Sequence, residues 1–392
     1  MTTTPYSRRQ WFKTSLGFMA ATGFHEALRA DEIKYAGKIH PLTGRWMMNE
    51  NIAGPGSSVG LKARLNSNEN PYGPSDKAKA AIVEGFKDAN RYSEPVVAMF
   101  KAMIAAKEGV TVDHVFLCAG LSELLVLLGD LTGLQQGNMI SAHPTFDLMP
   151  ALAADTGGKW IQVPLNSQYE HDLKAMEYAV TDQTKLVYIC NPGNPCPTIV
   201  NPAELSSFCD RVSRRTIVFV DEAYNDYVPL PSNHTMLDKV KEGKQVIVGR
   251  TLSKVHGFAG LRIAYALAPT TLIDQLEKYR TWNYTMNAPT MHGAMATLND
   301  ESFKSFVVQK TIEVRNNTVA ALRTMGYEPI SSFTNFIIFP IKMEGKEIVT
   351  KMRERGVGLK SWAFDNKQWC RVSIGTADEM QLFLDAMKEI SA

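Results

Sequence analysis

The sequence predicts an α/β protein: a large domain with a mostly parallel sheet between helices, plus a small α+β domain on the C-terminal side. Three observations predict it. Short β-branched and apolar runs alternate with longer helical patterns, as parallel strands joined by crossover helices require. That rhythm changes near Ala288-Pro289. The chain of 392 residues, 45% hydrophobic and 21% charged, has an ordinary globular composition and is long enough for two domains.

In chain order, the strand candidates of the large domain are 114–119, 139–142, 160–164, 185–190, 216–220, 246–249 and 263–267. Helical stretches lie between them, for example 122–131 and 202–214. After the change of rhythm come two helical stretches around 302–325, then strand candidates 336–340 and 370–374 with a helix after each. This later block reads as the small domain, completed by residues of an N-terminal arm. The expected segments are 1–30 as an export signal, 31–66 as the arm, 67–288 as the large domain and 289–392 as the small one.

A net charge of +2 and the lack of any Lys or Arg stripe argue against nucleic acid as a partner. Beyond the N-terminal region no apolar stretch approaches the about 20 residues that span a bilayer, so no stable membrane association is expected. Five cysteines without a CxxC pair argue against a disulfide framework and against a metal site. Cys118, Cys190 and Cys370 fall in apolar runs and read as buried thiols.

The N-terminus reads as an address. Ser7-Arg8-Arg9-Gln10-Trp11-Phe12-Lys13 resembles the twin-arginine export signal; a short apolar segment and the small residue Ala30, a candidate cleavage point, follow it. The expectation is a partner in the twin-arginine export machinery and a mature chain in the periplasm. That route carries proteins already folded around their cofactors.

The chemistry begins at Thr251-Leu-Ser-Lys254, directly after a strand candidate. A lysine in so apolar a stretch is costly to bury unless it changes state, and a Schiff base to an aldehyde is one such change. A lone lysine of this kind also fits a snorkelling surface residue. Ser253 and Arg262 could offer a hydroxyl and a guanidinium fork to one phosphate. Ala119-Gly120-Leu121-Ser122 adds a glycine turn opening a helix, where backbone N–H groups favour an anion. Asp221 closes an apolar strand, the end of an open α/β sheet where ligands bind, and could keep a ring nitrogen protonated. It equally fits a strand-end cap. Tyr224 and Asn194, the latter in Asn191-Pro-Gly-Asn-Pro195, could face a phenolic oxygen, though the second segment alone is turn chemistry.

Together these pieces resemble the fold-type I enzymes that use pyridoxal 5′-phosphate, and most closely the histidinol-phosphate aminotransferase-like group. Leu65-Asn-Ser-Asn-Glu-Asn-Pro-Tyr-Gly-Pro-Ser75 is similar to that group's opening motif, and Asn90-Arg91-Tyr92 to its N-R-Y-P. Asp221-Glu-Ala-Tyr224, Thr251-Leu-Ser-Lys254 and Gly260-Leu-Arg262 match it unchanged, and Cys370-Arg-Val-Ser-Ile-Gly-Thr376 is similar to its closing segment. The resemblance implies that Lys254 carries the cofactor and moves the Cα proton, with Asp221 on the ring nitrogen and Asn194 and Tyr224 on the phenolic oxygen. It implies Phe146 stacked on the ring, and Gly120, Leu121, Ser122, Ser253 and Arg262 around the phosphate. Tyr92 would reach the phosphate of a neighbouring subunit, so a homodimer with shared sites is implied. Asn70, Asn194, Lys360 and Arg371 are the implied substrate residues.

Two departures bear on the substrate. Pro197 stands where the group's central turn has glycine, and Lys360 stands where relatives carry a second arginine, whose bidentate fork lysine cannot reproduce. Histidinol phosphate is therefore not the expected substrate. The expected activity is transfer of an amino group from an amino acid or related primary amine to a 2-oxo acid. The alternatives are oxidation of a basic amino acid such as arginine by O2 on the same scaffold and, more remotely, a non-catalytic cofactor- or amine-binding protein.

Overall fold

The computed structural model describes residues 60–229, 234–280 and 286–391. The export signal and residues 31–59 of the expected arm lie outside the described residues. The chain opens with β1 (Ala63–Arg64) and two helices, α1 (Asp76–Glu84) and α2 (Glu94–Glu108). Then β2 (Val115–Cys118) leads into α3 (Leu121–Leu134), β3 (Asn138–His143) into α4 (Leu148–Asp155), and β4 (Lys159–Pro164) into α5 (Leu173–Tyr178). The alternation continues through β5 (Thr184–Cys190), α6 (Pro202–Val212), β6 (Ile217–Asp221), α7 (Leu237–Lys241), β7 (Val246–Thr251), β8 (Ala264–Leu267) and α8 (Thr270–Tyr279).

These strands form one seven-stranded sheet in the order β2-β8-β7-β6-β5-β3-β4, in which β8 alone runs antiparallel to its neighbours. Each expected strand is present, with ends within a residue or two of the sequence reading. The runs are apolar throughout because both faces are covered. Val187, Ile189, Val218, Val220 and Val248 point to one layer, with Phe100 of α2 and Phe208 of α6. Phe116, Tyr188, Phe219 and Ile247 point to the other, with Leu124 and Leu128 of α3 and Ile273 of α8. Local chemistry starts the helices where they are needed: Asn201 accepts from the N–H groups of Ala203 and Glu204 ahead of α6, with Pro202 in its first turn.

The remaining elements are α9 (Ala288–Leu298), α10 (Glu301–Thr324), β9 (Phe336–Ile341), α11 (Gly345–Glu354), β10 (Val357–Gly358), β11 (Lys360–Phe364), β12 (Lys367–Ser373) and α12 (Ala377–Ser391). The two stretches expected around 302–325 are a single helix of 24 residues. Helix α9 buries Met291, Ala294 and Leu298 with the large sheet's apolar residues, whereas Val314 and Leu322 of α10 join the core of the small sheet.

That small sheet is antiparallel, in the order β11-β12-β9. Strand β11 was not among the strand candidates; it turns into β12 where Asp365 and Asn366 both take φ near 52° and close a two-residue hairpin. Strand β1 pairs in parallel with β10 as a separate two-stranded sheet, and Ala63 and Leu65 join the apolar cluster of the small sheet. Tyr169 ties the hairpin to the loop before α5, donating to Asp365 at 3.0 Å and packing edge-on against Trp369. All five cysteines are free and buried. Among the described residues, no helix is long and apolar enough to cross a membrane.

Candidate active site

Four parallel strands deliver their C-terminal ends to one cavity of about 230 Å³. Phe146 follows β3, Asn194 follows β5, Asp221 closes β6, and Ser253 and Lys254 follow β7. The first turn of α3 adds Leu121 and Ser122, and Arg262 enters just ahead of β8. Residues far apart in sequence meet here because every crossover helix returns the chain to the same edge of the sheet.

Lys254 is partly buried, its Nζ 3.4 Å from the Ser67 carbonyl oxygen and 5.6 Å from the centre of the Tyr224 ring. Burial and, secondarily, the Arg371 charge lower its pKa to about 8, against the pull of Glu69 and Asp221. Asp221 is buried, and burial pushes its carboxyl up to about 6 although the Ala223 N–H and the Tyr188 hydroxyl both donate to it. Tyr224 accepts from the Asn68 side-chain amide at 3.0 Å, and burial holds its phenol above the usual range.

At the α3 end, Gly120 has φ of 79° and ψ of 152°. A Cβ there would strike the Arg262 guanidinium, which lies directly over the bare Cα. Ser253 accepts from the Thr251 hydroxyl at 3.0 Å. On the opposite side Arg371 is only 3% exposed, its Nη1 donating to Asn194 Oδ1 at 2.6 Å and its Nη2 to the Asn66 carbonyl at 3.0 Å. The Trp362 and Phe336 rings lie 4.5 and 5.1 Å from the guanidinium carbon.

Five expected site residues are not part of the cavity wall: Gly120 and Arg371 stand just behind it, on Arg262 and Asn194, and Asn70, Tyr92 and Lys360 lie elsewhere. Asn70 spends its side chain on the backbone, donating to the Val255 carbonyl at 2.8 Å and accepting from the Tyr72 N–H at 2.9 Å. These two contacts brace the loop that carries Asn70. Tyr92 is 76% exposed on the surface. Lys360 sits beside Arg371 in the β11–β12 register. Conversely, Ser67, Glu69, Cys190 and Thr251 line the cavity without having been expected as site residues. Asn68 and Tyr188 act one contact away. Asn68 and Glu69 stand inside the opening motif, which was signal enough to find them; Tyr188 carried only the alternation of its strand.

The class I and II aminotransferase family profile matches residues 62–387. The chain is 33% identical over 332 residues to a histidinol-phosphate aminotransferase of Moorella thermoacetica, covering 84% of this chain and 85% of that one. It is 32% identical over 334 residues to an aromatic amino acid aminotransferase of Thermobifida fusca, covering 84% and 92%. Among solved structures, histidinol-phosphate aminotransferase from Sinorhizobium meliloti in complex with pyridoxal-5′-phosphate superimposes with a TM-score of 0.77 at 25% identity, over 84% of this chain and 91% of that one. These relatives lend no support to the oxidase alternative. The cavity fits the cofactor of the class: a helix N-terminus, a serine and a guanidinium seated on a bare Cα surround one anion site, and a buried carboxylate and a lysine of lowered pKa line the same space. The chain belongs to the class I and II aminotransferases and is a pyridoxal-phosphate enzyme.

Proposed function

We propose that this aminotransferase takes the amino group of a free α-amino acid, rather than of a phosphorylated amino alcohol, and passes it to a 2-oxo acid. The observation that carries this reading is Arg371, a buried guanidinium held by Asn194 and Asn66 between two aromatic rings. So fixed, its planar fork suits a planar carboxylate and gives up little side-chain entropy on binding it. The neighbouring Lys360 is a point charge on a flexible stem, less suited to clamping a phosphate.

When bound, the cofactor supplies an aldehyde carbon for amino groups and a ring that takes up electrons from the substrate's Cα. Lys254, whose pKa is lowered to about 8, has a larger neutral fraction near physiological pH than an ordinary lysine and would be the group that takes the proton from Cα and gives it back. Asp221 would face the ring nitrogen, Tyr224 and Asn194 the phenolic oxygen, and Phe146 would cover the ring. Leu121, Ser122, Ser253 and Arg262 would hold the phosphate. The active form is a homodimer in which Tyr92 reaches the partner's phosphate, and the twin-arginine signal at residues 7–13 sends it to the periplasm.

Steady-state kinetics on histidinol phosphate and a panel of free amino acids tests the substrate assignment. Wild type should favour a free amino acid. Arg371→Lys should lower kcat/KM for that amino acid by roughly 10- to 1,000-fold while leaving the bound cofactor's spectrum almost unchanged. Preference for histidinol phosphate, or indifference to Arg371→Lys, would overturn it. Lys254→Ala should leave the cofactor dialysable and abolish exchange of the Cα proton.

A further inference from the structure

Asp221 ends β6 directly beside Cys190 of β5, and Phe219 pairs with Tyr188 one pleat back. Paired residues share a face of the sheet, so Tyr188 lies diagonally across from Asp221 and within reach of it. Its hydroxyl donates to Asp221 Oδ2 at 3.1 Å, while the Ala223 N–H donates to Oδ1 at 3.0 Å. The carboxylate is thus held at two points, one on each oxygen. Tyr188 is fully buried, and its ring stacks on Phe219 with centroids 5.6 Å apart and planes 23° from parallel. Burial, Cys190 and Asp221 all push its phenol well above the usual range, so the hydroxyl keeps its proton and stays a donor.

We propose that Tyr188 is a positioning residue for the cofactor's ring nitrogen: by donating to Asp221, it keeps their shared proton on nitrogen rather than on the carboxyl. The inference rests on the reading that Asp221 faces that nitrogen. Two arrangements have the same number of protons, a carboxylate beside a protonated ring and a carboxylic acid beside a neutral ring. A buried site disfavours the charged arrangement, as the raised pKa of Asp221 reflects. A phenol donating to the carboxylate stabilises the charged arrangement selectively, and a hydrogen bond to an ionised group amounts to roughly a 10- to 100-fold bias. The protonated ring withdraws electrons more strongly, so the bias speeds loss of the Cα proton.

The test uses holoenzyme carrying pyridoxal phosphate labelled with nitrogen-15 in the ring, whose NMR shift reports which partner holds the proton. Asp221→Asn provides the signal of a ring without its carboxylate. Tyr188→Phe should move the signal toward that value and lower kcat about 10- to 100-fold, with KM for the amino acid changed less than about twofold. Replacing Tyr188 by 3-fluorotyrosine, a stronger donor of nearly the same volume, should hold the protonated signal or strengthen it, and serves if the phenylalanine variant folds poorly. If Asp221→Asn moves the signal while Tyr188→Phe leaves it at the wild-type value, or if fluorotyrosine moves it toward the neutral ring, the role of Tyr188 is overturned. If Asp221→Asn moves nothing, the placement of Asp221 fails, and this inference with it.

Discussion

Gly120 occupies a backbone region that residues with a Cβ enter only at a cost of about 1–3 kcal/mol. A Cβ there would also displace the Arg262 guanidinium from the proposed phosphate site. Gly120→Ala should therefore raise the Kd for pyridoxal phosphate by about tenfold or more, read by fluorescence titration of the cofactor-free protein. Lys254 makes a pH prediction. Only the neutral amine attacks an aldehyde, so the rate of cofactor loading should climb as pH rises through about 8 and level off above it. A loading rate still climbing beyond pH 10, as for an unperturbed lysine, would contradict the burial of that amine. Both residues stood out in the sequence because each broke a local rule, a cation among apolar neighbours and a glycine opening a helix. Asn70 stood out only because it sits in a motif; its two backbone contacts, which brace the loop, left no mark in the sequence.

Among elements, α2, β6 and β7 are fastened together behind the site by one buried charge cluster. Arg250 on β7 bonds Glu108 of α2 at 2.8 and 3.0 Å, Glu222 after β6 at 3.2 Å and Thr235 at 2.9 Å; Tyr265 donates to Glu108. Glu222 follows Asp221 directly, so the cluster also anchors the strand end that lines the cavity. Arg250→Met would strand two buried carboxylates and should cost about 3–5 kcal/mol in urea unfolding, a loss that Glu108→Gln and Glu222→Gln together largely reverse. Nothing along the chain announced this cluster, because its members are joined only by strand order. The seven strands themselves were legible, since a parallel sheet covered on both faces demands unbroken apolar runs. Strand β11 was not, because Lys360-Ser-Trp-Ala-Phe364 alternates weakly and its turn uses Asp-Asn rather than a glycine. Tyr188 was hidden in the same way as Arg250, its role depending on which strand lies alongside.

For the whole molecule, the proposed dimer with shared sites makes a sharp prediction. Tyr92→Ala and Lys254→Ala should each be nearly inactive alone, yet mixing and reassociating the two should restore about a quarter of wild-type activity, since half the dimers are hybrids with one intact site. No recovery would speak against Tyr92 serving its neighbour. The export proposal is tested separately: Arg8→Lys/Arg9→Lys should accumulate in the cytoplasm, whereas wild type should be found in the periplasm trimmed near Ala30. The parallel pair of β1 and β10 adds a constraint in time. Ala63 cannot meet Val357 until almost the whole chain has left the ribosome, and at about 5–20 residues per second that wait lasts on the order of tens of seconds. During it the large sheet can close while Leu65 has no small-domain core to enter, so nascent chains arrested before Val357 should stay open to protease at 60–66 even where their strands β2 to β8 are already protected.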